Sequence, residues 1–272
     1  MESPNATEHQ HPWEFSSEYL PALFASFLFF FTLMFLVSPL LSAKYSRTYK
    51  GMSSFDKANW NTRTVSNINA VIVSVLSIYL LVTDDSISSD KVWGTSQLAR
   101  WNVCIICGFL IADLIVMLRW FPLSESWQYL IHHFVVLYPF LNNVVYGVLT
   151  FFANYRITTE CSTLFVNLRW FMSVHEYKSN KWYVINGLMM TATFFLCRIA
   201  FIPLYYVFVY HDVSRAVATL PLSFIIAWLP SGMIMDVLNF YWCGKMYNGA
   251  RKALWGTSKP KGAPVRNRVK GE

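Results

Sequence analysis

Charge is what this 272-residue chain has least of. Asp, Glu, Lys and Arg together make up 14% of it, against about a quarter in an ordinary soluble domain. So little charge cannot cover a surface that faces water on every side, which excludes a conventional soluble enzyme domain. Cysteine is also sparse. The five, Cys104, Cys107, Cys161, Cys197 and Cys243, all sit in apolar segments rather than in a spaced extracellular framework, so no disulfides are expected. Cys104 and Cys107 have CxxC spacing, but with no second pair and no ligand-rich loop they read as packing residues, and no metal is expected. Internal repeats are lacking as well.

Apolar and aromatic residues are plentiful, 55% and 18%. Tyr19–Leu41 is an almost unbroken apolar run, long enough for the about 20 residues that cross about 30 Å of hydrocarbon. It is too long for a signal-peptide core, and acidic residues precede it where such a peptide is basic. Further spans are expected at Thr64–Val82, Leu98–Leu118, Trp182–Tyr210 and Val217–Tyr241. Trp127–Leu141 is short, and Val144–Val174 is long and interrupted by Asn154, Arg156, Glu160 and Arg169. These read as two helices, the second bent or lining a polar cavity. The expectation is an all-α polytopic membrane protein with about seven transmembrane helices.

Loop charges set an orientation. Lys44, Arg47, Lys50, Lys57 and Arg63 follow the first span, whereas Asp84, Asp85 and Asp90 follow the second. Arg169, Lys178 and Lys181 precede Trp182, and Lys252, Lys259, Lys261, Arg266, Arg268 and Lys270 lie in the tail. Seven spans put every basic segment on the cytosolic side and the amino terminus in the lumen. There Asn5-Ala6-Thr7 forms a glycosylation acceptor, usable only on that face. The net charge of +7 thus fits membrane topology, and no nucleic-acid partner is expected. Residues 1–18 form a lumenal tail and 19–41 the first span. Residues 248–272, basic and rich in Pro and Gly, are expected to be disordered and cytosolic. The final RVKGE is similar to a dilysine-type retrieval signal, which points to the endoplasmic reticulum.

Ionisable residues inside spans cost about 2.5–3.5 kcal/mol each on insertion scales and therefore need a partner or a purpose. The candidates are Asp113, His132, His133, Glu160, Arg198 and Asp236, with Arg156 beside them. Their positions favour the cytosolic half and suggest a cavity open to the cytosol. A histidine in a dry cavity serves as general base or nucleophile, and Glu160 or Asp113 would orient it. Interhelical hydrogen bonding is the structural alternative. Arg156 and Glu160, four apart, suit an ion pair on one helix face. Arg198 is expected to pair with Asp236 or Glu160, or to bind an anionic head group.

Taken in order, WNTRTVSNINA (Trp60–Ala70), GFLIADL (Gly108–Leu114), His132–His133, NYRITTECSTLFVNLRWF (Asn154–Phe171), NGLMM (Asn186–Met190), RIA (Arg198–Ala200) and DVLNFYW (Asp236–Trp242) resemble the TLC-domain family of ceramide synthases and translocation-associated membrane proteins. The resemblance covers residues 55–247. It implies a six-helix bundle with an extra amino-terminal span and a central cavity for acyl chains. In ceramide synthases the paired histidines handle an acyl group from coenzyme A, and His132 and His133 match that pair. Those enzymes also carry a His-Asp-x-x-Asp cluster, whereas ITTECSTLFVN here offers only Glu160. The leading expectation is therefore a protein of membrane lipid homeostasis that binds or regulates membrane lipids. An acyltransferase, with acyl-CoA as co-substrate and no other cofactor, is the first alternative. A cargo or translocation factor is the second.

Overall fold

The computed structural model describes residues 14–124 and 127–255, and among these the chain is helical with no strand. Helix α1 spans Leu20–Tyr45, α2 Ser54–Thr83 and α3 Gln97–Ser124. Helix α4 spans Trp127–Tyr146, α5 Thr150–Ile157 and α6 Thr163–Val174, with the last two joined by a 3-10 turn over Thr158–Ser162. Helix α7 spans Lys181–Thr219 and α8 Leu222–Trp255.

Local chemistry explains the boundaries. Ser53 opens α2 by accepting from the Asp56 amide and donating to the Asp56 carboxylate at 2.7 Å, a reciprocal cap in the manner of a capping box. Asn180 caps α7 through the Trp182 amide. The chain between α4 and α5 turns through Gly147 (φ 71) and Leu149 (φ 58). Asn143 Nδ2 holds that turn by donating to the Val148 carbonyl at 2.7 Å. Two helices contain a wide π turn, Leu33–Val37 in α1 and Phe195–Ala200 in α7.

Five helices (α1, α2, α3, α7 and α8) are long and apolar enough to cross a membrane. Helix α4 and the broken α5–α6 fall outside that criterion. The expected span Val217–Tyr241 is corrected: α7 runs on to Thr219, and Pro221 precedes the start of α8 at Leu222, because proline lacks the amide a helix interior needs. Helix α8 also continues to Trp255, past residue 248, where the tail was expected to begin.

The helices close a ring. Contacts run from α2 to α3, α4, α8 and α7, then through α6 and α5 back to α2, while α1 stands outside against α3. That outer contact is close because residue 108 is glycine: a Cβ there would lie 2.5 Å from the Phe27 amide nitrogen. Cys104 and Cys107 are buried in the apolar cluster between α1 and α3 and are free thiols. Within the ring, buried amides replace leucine-like packing. Asn102 Nδ2 donates to Ser77 Oγ at 2.7 Å and Asn154 Oδ1 at 2.9 Å, tying α3 to α2 and α5. Such interhelical bonds contribute about 0.6–2 kcal/mol each in lipid.

Candidate functional site

The ring encloses a cavity of about 400 Å³ at the end where α2 begins and α3 ends, walled by Arg63, Asp113, Trp120, His133, Arg198 and Lys245 among others. A narrower and mostly apolar extension of about 90 Å³ continues toward the opposite end, past Val136, Phe140, Phe152 and Trp228. His132 and Glu160 line both volumes. Along α4 the extension reaches from His132 to Asn143, about 16 Å of axis at about 1.5 Å per residue.

The two histidines stand in different environments. His133 is buried. Its Nδ1 lies 2.8 Å from the Tyr129 carbonyl and its Nε2 lies 2.9 Å from Asp113 Oδ2. A carbonyl only accepts, so Nδ1 carries a proton. At the other nitrogen, either Nε2–H donates to a carboxylate or a protonated Asp113 donates to Nε2. Both ring nitrogens are engaged either way, and the ring fastens α4 to α3. His132 Nδ1, by contrast, is buried without a partner among the described residues. Its ring sits edge-on to Trp242, centroids 5.8 Å apart. Neighbours on a helix point about 100° apart. His133 therefore turns to Asp113 while His132 stands where the two volumes meet.

The acids and arginines are paired differently from the helical spacing. Arg156 binds Asp236 bidentately, NH1 to Oδ1 at 2.5 Å and NH2 to Oδ2 at 3.0 Å. Tyr206 Oη donates to the same carboxylate at 2.8 Å, and the guanidinium lies 3.9 Å over the Tyr205 ring. The expected Arg156–Glu160 pair does not form. The 3-10 turn from Thr158 advances about 120° per residue where an α-helix advances about 100°, which swings Glu160 off the face of Arg156. Glu160 instead meets Arg198 NH2 at 3.4 Å and accepts from Thr163 Oγ1 at 2.8 Å. Arg198, in the π turn of α7, also donates from Nε to Ser162 Oγ at 2.9 Å. Of the expected site residues, Asp113, His132, His133, Glu160 and Arg198 line the wide cavity. Arg156 lines the extension, and Asp236 is its buried partner. Asn5 lies outside the described residues, as does the tail beyond Trp255.

Arg63, a loop charge by sequence alone, lies within α2 and lines the cavity, its NH1 donating to Asn167 Oδ1 at 3.1 Å. Its place one residue before the expected span at Thr64 was the available signal.

Residues 59–248 match the TLC domain. TLC domain-containing protein 4-A of Xenopus laevis is 37% identical over 244 residues, covering 89% of this chain and 94% of that protein. TLC domain-containing protein 4-B of Danio rerio is 36% identical, with 87% and 89% covered. The Homo sapiens TLC domain-containing protein 4 is 34% identical, with 84% and 88% covered. No solved structure matches. With the domain spanning most of the chain and relatives similar almost end to end, the protein belongs to the TLC-domain family.

Proposed function

We propose that the protein holds a membrane lipid in its ring and acts in membrane lipid homeostasis, as a multi-pass protein of the endoplasmic reticulum. One observation carries the reading: a wide cavity whose wall holds Arg63, Asp113, Arg198 and Lys245 shares His132 and Glu160 with a narrower, more apolar one. That is the shape of an amphiphile, head in the first volume and chain in the second. Helix α4 and the broken α5–α6 complete seven crossings. The 3-10 backbone at Thr158–Ser162 is tolerable at membrane depth because it lines the cavity rather than facing lipid. The end bearing Lys44, Arg47, Lys50 and Lys245 faces the cytosol, and the end with Asp84, Asp85 and Asp90 faces the lumen. The test is mass spectrometry of lipids that co-purify with the protein, with and without added acyl-CoA. A lipid class enriched over the bulk membrane is the expected result. A co-purifying profile equal to the bulk membrane would overturn the reading.

The free Nδ1 of His132 favours a second reading, acyl transfer. In it, a ring nitrogen attacks the thioester carbonyl of acyl-CoA, the carbon–sulfur bond breaks, and coenzyme A leaves as the thiol with the ring's proton. An acceptor hydroxyl or amine then takes the acyl group and returns a proton to the imidazole. Glu160, held by Arg198, supplies the nearby negative charge. Release of free coenzyme A thiol by the wild type but not by His132→Ala would support turnover. Equal release by the two would remove His132 from the chemistry.

A further inference from the structure

Two cations in the wall of the wide cavity form no ion pair among the described residues. The ion pairs among the described residues are His133–Asp113, Arg156–Asp236, Arg198–Glu160 and Arg215–Asp90. They use up both carboxylates of that cavity, Asp113 and Glu160, and leave Arg63 of α2 and Lys245 of α8 outside any pair. Arg63 is nevertheless held in place. Its NH1 donates to Asn167, whose own amide is fixed by Asn67 Oδ1 at 2.9 Å, and its guanidinium lies 5.1 Å over the Trp170 ring. Its Nε is buried with no partner among the described residues. Lys245 Nζ rests 4.3 Å over the Tyr241 ring. A fixed arginine with unused donors inside a membrane-spanning bundle is costly unless an anion completes it.

We infer that this wall is a phosphate subsite. Arg63 and Lys245 take the phosphate of a single-chain amphiphile whose chain passes His132 into the apolar extension. The inference rests on the lipid-binding reading above and adds the chemistry of the head group. A phosphate is favoured over a carboxylate because two cations on opposite elements match a group carrying about −1.5 to −2 charge. The planar guanidinium fork also suits phosphate oxygens. A lysophospholipid and an acyl-CoA share this chemistry.

The test uses the full-length protein in detergent and compares amphiphiles with one oleoyl chain and different heads. Thermal unfolding is followed against lysophosphatidate, oleoyl-CoA, oleate and monooleoylglycerol. Lysophosphatidate or oleoyl-CoA is expected to raise the unfolding temperature well beyond monooleoylglycerol, and the stronger of the two identifies the source. Arg63→Gln and Lys245→Gln should each weaken that binding about tenfold, the scale of one charge-assisted hydrogen bond. Arg119→Gln, an exposed cation on α3 outside the cavity lining, should leave it unchanged. If Arg63→Gln fails to fold, Lys245→Gln decides. Equal stabilisation by monooleoylglycerol, or wild-type affinity in the glutamine variants, overturns the phosphate subsite and leaves lipid binding intact. Failure of all four amphiphiles to bind overturns both. His132→Ala should keep the phosphate preference, which separates the subsite from any acyl chemistry.

Discussion

A ring whose two nitrogens are both engaged cannot be removed quietly. His133→Ala removes the tie from α4 to Asp113 on α3 and leaves that acid without its partner in the cavity wall, and an unsatisfied buried group costs about 1–3 kcal/mol. His132 has no such tie at Nδ1. The expected outcome is a split: His133→Ala lowers the unfolding temperature measurably, whereas His132→Ala unfolds like wild type yet fails to restore the lipid profile of cells lacking the protein. Thermal unfolding beside whole-cell lipid profiles checks both halves. If His132→Ala restores the profile, that histidine is not a site. Arg198 belongs to the same scale. It is buried, and its truncation strands Glu160 in the cavity wall. Removing one member of a buried pair costs about 3–5 kcal/mol, so Arg198→Ala should reduce yield and thermal stability far more than Arg119→Ala does.

The elements were largely visible in the sequence because lipid demands long apolar runs. Ser54–Thr83 and Gln97–Ser124 contain the expected spans Thr64–Val82 and Leu98–Leu118, the first extended by a polar turn that Ser53 caps. The stretch expected as one helix over Val144–Val174 is divided instead: Val144 belongs to α4, which runs past Leu141 to Tyr146, and α5 and α6 follow with the 3-10 turn between them, where Glu160 lines the cavity. The pairing was visible only in part: Arg198 meets Glu160, one of its two expected partners, whereas Arg156 takes Asp236 in place of Glu160. Spacing of four assumes an unbroken α-helix, and nothing in ITTEC announces a 3-10 turn. Which of the two histidines is tied is not legible in the sequence, because that depends on Asp113 arriving from another helix. The seating of α1 depends on a single atom's absence. Adding a methyl at Gly108 forces it against the backbone of α1 at Ser26–Phe27, the kind of overpacking that costs about 1–3 kcal/mol. Gly108→Ala should therefore lower thermal stability, whereas Gly244→Ala, with nothing within 4 Å of its Cβ, should not. Equal stability in the two would mean that α1 yields without cost.

For the whole molecule, orientation is the first thing to test. Asn5→Gln should abolish a glycosidase-sensitive mobility shift, and a tag placed after Glu272 should be digested by protease outside sealed microsomes. Protection of that tag would invert the topology. At the other end of the bundle, Asp90 ties the α2–α3 connection to Arg215 through two bonds, 3.0 and 2.6 Å. Burial pushes the Asp90 carboxyl up, but the Arg215 hydrogen bond and the Trp93 and Val92 amides outweigh it and hold the group below its ordinary range. Its contribution is thus complete above the unfolded value of about 3.9 and is lost as pH falls through the lower folded value. The wild type should lose a stability increment below pH of about 4 that Asp90→Asn never had. The effect should be small, because half-exposed pairs contribute about 0–1 kcal/mol. Parallel unfolding curves for the two across that range would argue that the clamp is idle.

The closure of the ring also sets an order of events during synthesis. Helix α8 is the last of the eight to leave the ribosome, yet it supplies Asp236, the partner of Arg156 on α5, and it seals the ring between α4 and α7. Until it arrives, the nascent chain holds an uncompensated guanidinium among apolar helices, with the cavity open along one side. A premature stop before Leu222 would leave that state permanent. Such a fragment should be bound by membrane chaperones and cleared rather than accumulate as a shortened but working protein, and the full chain should become resistant to that clearance only once its final helix has docked.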